Sequence, residues 1–152
     1  MPDVHARLAE LGLSLPTVSP PVAAYVPAVR SGNTVYVSGQ LPFVDGALPA
    51  TGKVGAAVSP ERAKELAARC ALNALAAIDS LVGLAAVARI VKVTGFVASA
   101  PGFNGQPGVI NGASELFGEV FGEAGRHARS AVGVAELPLD TPVEVEVIAE
   151  VA

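Results

Sequence analysis

The stretch HARSAVGVAELPLDTPVEVEV, running from His127 to Val147, carries the pattern on which the fold turns. Its first half alternates, with Val132 and Val134 on one side and Arg129, Ala131, Gly133 and Ala135 on the other. Leu137-Pro138 interrupts it. The second half then alternates valines 143, 145 and 147, and beyond them Val151, against Glu144, Glu146 and Glu150. Side chains on a strand point to opposite faces in turn, so a period of two reads as two half-buried strands. Joined by a turn they form a hairpin, and both valine faces should then enter one core. The hairpin reading puts Arg129 and the glutamates together on the far face.

Upstream of this run the elements alternate in kind. Residues 3–11 suit a short helix, with Val4, Leu8 and Leu11 on one stripe and Gly12 as its stop. Residues 15–22 hold Pro16, Pro20 and Pro21 and read as an extended linker. Residues 23–30 and 34–38 read as strands about a Ser31-Gly32-Asn33 turn, and residues 39–58 as loop. Ser59-Pro60-Glu61 opens a helix that Gly83 closes. Serine can cap the free amides, proline fits the first helical position, and the acid favours the positive end. Leu66, Cys70, Leu75, Ile78 and Val82 form its apolar stripe. Residues 87–98 are β-branched and apolar, a buried strand. Residues 100–107 form a loop, residues 109–123 a second amphipathic helix, and Gly125 its stop. The order ββ-α-β-α-ββ predicts an α+β two-layer sandwich, with helices packed on one face of a mixed, mainly antiparallel sheet.

Composition narrows the function. The 152 residues suit one domain, residues 1–152, preceded within it by a helical extension and linker over residues 1–20. Only 16% of residues are charged and 51% are hydrophobic. So little charge for so much surface predicts that part of the surface is covered by another subunit. A net charge of −4, with no Lys/Arg cluster, argues against a nucleic-acid surface. One cysteine and two distant histidines argue against a disulfide or a metal site. No clean apolar stretch spans a bilayer, and MPDVHARLAE lacks the apolar core of a secretory signal, so a cytoplasmic protein is expected.

Arginine is the side chain to notice in the opening run. Its planar fork can pair with a glutamate or hold an external carboxylate through two parallel hydrogen bonds. Small residues surround it, so another molecule could approach. Alternation alone leaves both readings open: a solvated glutamate row with a structural arginine, or a carboxylate site.

Several stretches, in order, resemble the YjgF/Rid family of reactive intermediate deaminases, also known as L-PSP endoribonucleases. They are Tyr25-Val26, Ser31-Gly32-Asn33 with Val35-Tyr36-Val37-Ser38-Gly39-Gln40-Leu41-Pro42, Ala71-Leu72-Asn73-Ala74-Leu75, Ile90-Val91-Lys92-Val93-Thr94, Ile110-Asn111, and Ala128-Arg129-Ser130 through Leu137-Pro138 to Val143-Glu144-Val145-Glu146. The resemblance implies a chorismate-mutase-like fold, a homotrimer with clefts between subunits, and no cofactor or metal. It implies hydrolysis of carboxylate-bearing enamine or imine intermediates to ammonia and a 2-oxo acid. Arg129 would hold the substrate carboxylate and Glu144 would position or activate water. Tyr25, from a neighbouring subunit, would line the cleft, with Ser38, Gly39 and Asn111 on its sides. The alternatives are an endoribonuclease or translation inhibitor, and a non-catalytic binder of small carboxylates.

This chain departs from the pattern at Ala131, where the deaminase branch usually has a cysteine; only the backbone there can contribute to substrate binding. His127-Ala128 stands where many members have a proline, and residues 100–108 make an enlarged loop. Cys70 reads as core, His127 as a rim or structural histidine, and Phe103 as either a pocket cap or a packing aromatic.

Overall fold

The computed structural model describes residues 3–18 and 24–152. Its elements are α1 (Val4–Glu10), β1 (Ala28–Ser31), β2 (Thr34–Gln40), α2 (Pro60–Val82), β3 (Val87–Ala98), α3 (Gln106–Phe121), β4 (Ala128–Val134) and β5 (Val143–Val151). The sheet order is β1-β2-β5-β3-β4. α2 and α3 pack on one face of it, giving the α+β sandwich expected. The part of the predicted linker at residues 19–22, and the predicted strand start at residue 23, lie outside the described residues.

The helix signals act as read. Ser59 Oγ accepts from the Arg62 amide at 3.1 Å, and Gly83 ends α2 with φ +81°. In α1, Asp3 caps the amides of His5 and Ala6, and Val4 and Leu8 enter the core. α3 begins and ends earlier than predicted. Pro107 is tolerated in its first turn, where amides lack partners anyway. Gly122, at φ +61°, stops it before Gly125, and residues Gly122–Gly125 make a short 3-10 turn. The loop before α3 is correspondingly shorter. β1 and β2 form the predicted hairpin, with Ser31 opposite Thr34.

The predicted terminal hairpin does not form. β4 pairs parallel with β3, Arg129 opposite Val93 and Val132 opposite Phe96. β5 runs antiparallel between β2 and β3, with Val147 opposite both Val37 and Val93. β3-α3-β4 is thus a crossover unit, the connection a parallel pair requires. The chain then passes around the end of β3, where the Ala98 amide donates to Pro142 O. Leu139 and Asp140, both at φ near +60°, make this turn.

The exchange of neighbours also reverses β4. The valines of β5 at 143, 145, 147 and 151 are buried against the helices as expected. Val132 is 42% exposed on the other side of the sheet. Its neighbours Arg129, Ala131 and Gly133 face the helices instead. Gly95, paired with Ala131, explains how α3 comes so close: a Cβ there would lie 2.5 Å from Ile110.

Candidate active site

Two groups of residues emerge. The first is built on β4 and α3. Arg129 projects from β4 toward α3, where Nη1 donates to Asn111 Oδ1 at 2.7 Å and to Ser114 Oγ at 3.2 Å. Nη2 donates more weakly to Pro107 O at 3.4 Å. All three acceptors are neutral. Among the described residues no carboxylate pairs with Arg129. Asn111, which the resemblance puts at the side of a cleft, bonds Arg129, and Ser114 is a partner that the sequence reading missed. Its signal was the spacing of Pro107, Asn111 and Ser114, four and then three residues apart, which aligns them on one face of a helix.

The second group lies across the sheet. Glu144 alternates with buried Val143 and Val145, so it points away from the helices, half-buried beside Gly39. A Cβ at position 39 would sit 2.8 Å from the Glu144 carboxyl carbon, so only glycine leaves this carboxylate undisturbed. The register shift between Val37 and Gln40 is a bulge that turns both Ser38 and Gly39 toward this face. Ser38 binds the segment before β1 through its amide, to Pro27 O at 2.8 Å, and its hydroxyl, to Val26 O at 2.6 Å. That holds the region of Tyr25, 45% exposed, beside β2. Loss of water around Glu144, and secondarily the charge of Glu146, raise its pKa above the ordinary carboxylate value.

The expected common face for Arg129 and the glutamates is therefore overturned within one chain. The two residues stand on opposite faces, two strands apart in the sheet and three positions apart along it. Strand spacing and rise put their Cα atoms roughly 14 Å from one another. Alternation assigns faces correctly within a strand, but relating two strands requires knowing which of them faces the core. The valines of β4 do not.

The remaining candidates are placed as follows. Ala131 is partly buried against the core. Cys70 is fully buried and its thiol pKa is pushed well up by burial. Phe103 packs over Gly55 and Gly105. His127 lies edge-on to Phe117, ring centroids 6.1 Å apart. Its pKa is lowered, by burial first and by Arg129 as a lesser cause. No helix among the described residues is long and apolar enough to cross a membrane.

Fold and sequence define a class. The Endoribonuclease L-PSP family model matches residues 16–151, and the chain belongs to this family, the YjgF/Rid family. It is 44% identical over 149 residues to Protein TCP17 of Trypanosoma cruzi, covering 97% of this chain and 93% of that protein. It is 38% identical over 130 residues to the 2-iminobutanoate/2-iminopropanoate deaminase of Escherichia coli K12, covering 84% and 88%. The crystal structure of Atu1372, a protein of unknown function from Agrobacterium tumefaciens, superposes with a TM-score of 0.91 at 46% identity, covering 98% and 92%.

Proposed function

We propose that this protein hydrolyses small imines and enamines bearing a carboxylate, releasing ammonia and a 2-oxo acid, in clefts between subunits of a homotrimer. The observation that carries this reading is the state of Arg129. Its guanidinium is anchored by neutral acceptors and matched by no acid among the described residues, which suits it to an external carboxylate. Such charge-assisted contacts contribute about 1.5–3 kcal/mol each, enough to orient a small carboxylate ligand.

Glu144 supplies the base. Its raised pKa brings it toward the range where a carboxylate accepts a proton from water more readily. Water adds to the electrophilic C=N carbon as Glu144 takes its proton. Starting from the protonated C=N, that proton then passes from Glu144 to the amine nitrogen, the C–N bond breaks with ammonia as leaving group, and the hydroxyl gives up its proton to Glu144 as the carbonyl forms. Because Arg129 and Glu144 are separated within one chain, the reading joins the Arg129 group of one copy to the Glu144, Ser38, Gly39 and Tyr25 group of its neighbour. The sheet face free of helices, carrying Val29, Tyr36, Val91 and Val132 at 38–52% exposure, is the surface through which copies would pack. The family's deaminase relative supports the chemistry. The net charge of −4 runs against RNA as substrate.

The test is to generate 2-iminopropanoate in situ and follow pyruvate formation. Wild type should exceed the spontaneous rate, and Arg129→Ala should lose at least about a hundredfold in kcat/KM, the scale of a lost bidentate contact and misplaced substrate. Saturable pyruvate binding without turnover would reduce the protein to a carboxylate binder. An Arg129→Ala variant with full activity would remove the proposed site.

A further inference from the structure

We propose that Ser114 is a positioning residue that selects which edge of the Arg129 guanidinium is offered to a ligand, an inference that rests on the deaminase reading for its substrate. A guanidinium has five N–H groups in one plane. Nη1 donates to both Asn111 Oδ1 and Ser114 Oγ. One proton of Nη2 goes to Pro107 O. Nε–H and the second Nη2 proton have no partner among the described residues. The Nε/Nη2 edge is the side of the fork that can donate to both oxygens of a carboxylate, and its Nε–H is unengaged among the described residues.

The three acceptors form a single stripe on α3, so they act as a rigid comb against β4. With Asn111 and the long Pro107 contact alone, the guanidinium plane could still turn about the Cδ–Nε bond and re-aim its Nε/Nη2 edge. Ser114, one turn further along, blocks that rotation. Ser114 and Arg129 also border a shallow cavity of about 310 Å³ with Gly118, Gly125, Arg126 and His127, and no carboxylate lines it. Nothing acidic there competes for the fork that Ser114 sets.

The experiment compares wild type, Ser114→Ala and Ser114→Thr for pyruvate affinity by calorimetry, for kcat and KM with 2-iminopropanoate, and for the Arg129 Nε–H resonance by NMR. Removal of one hydroxyl from a charged partner should weaken pyruvate binding and raise KM by about five- to tenfold, with kcat within about twofold. Threonine, which keeps the hydroxyl, should restore both. The Arg129 Nε–H signal should shift or broaden in Ser114→Ala and return in Ser114→Thr. Unchanged affinity and resonance in Ser114→Ala would overturn the proposal, as would a loss that threonine does not restore. If wild type binds pyruvate without turning over imine, the deaminase reading fails and the affinity series still decides the role of Ser114. If wild type does neither, the resonance decides it alone.

Discussion

Glu144 differs from the other glutamates of its row in surroundings rather than in pattern. Glu146 and Glu150 are exposed, while Glu144 is half-buried between Phe96 on β3 and the backbone of Gly39. Alternation could assign all three to one face but could not rank them; the bulge in β2, which brings Gly39 alongside, left no mark in the spacing. A raised folded-state pKa has a definite sign. In the proposed role of base, Glu144 must be ionised, so kcat/KM should fall on the acid side through a value above the ordinary 4.5. Between that ordinary value and the raised one, the folded chain keeps a proton the unfolded chain has released. Stability therefore declines as pH rises through the same window. Glu146→Gln removes the secondary, like-charge cause and should move the acid limb toward lower pH. A pH–rate profile unchanged in Glu146→Gln would show that burial alone sets the value.

At the scale of elements, the helices and strands were legible and their neighbours were not. Capping at Ser59, the stop at Gly83 and the bounds of β3 follow from local chemistry that a sequence displays. Strand order is settled by packing between distant segments. The run from Arg129 to Glu150 reads as a hairpin until the crossover through α3 commits β4 to β3. The small residues of β4 were the available hint, since they suit a strand lying under a close-packed helix. The glycines of α3 separate packing from propensity. At Gly112 a Cβ would meet Lys64 O of α2 at 2.0 Å, whereas at Gly118 it would meet nothing within 4 Å. Alanine gains roughly 0.5–1 kcal/mol over glycine inside a helix, while forcing packed backbones apart costs about 1–3 kcal/mol or more. Gly112→Ala should therefore lower the melting temperature and Gly118→Ala should raise it, both readable by thermal denaturation.

For the whole molecule, the low charge noted in the sequence has a physical address. Helices cover one face of the sheet, and the other presents Val29, Tyr36, Val91 and Val132 with Phe96 and Ile148 between them. If copies pack through that face, Val132→Asp places a charge in the contact and should dissociate the assembly in sedimentation velocity. Imine hydrolysis should vanish with it, because each proposed cleft draws on two chains. An intact assembly with full activity in Val132→Asp would locate the contact elsewhere.

The position of β5 bears on how the chain reaches this state. β2 and β3 run parallel without touching, and the gap between them is filled only by the last strand in chain order. Until β5 arrives, the sheet is two separate pieces, β1-β2 and β3-β4, each with an open inner edge and a helix waiting to be covered. During synthesis those edges stay exposed until β5 emerges, the condition under which nascent chains aggregate. Closing them requires contacts of long sequence separation, which form slowly. The segment that carries Glu144 is thus also the keystone of folding, and a lesion in it should appear first as lost yield and only then as lost catalysis.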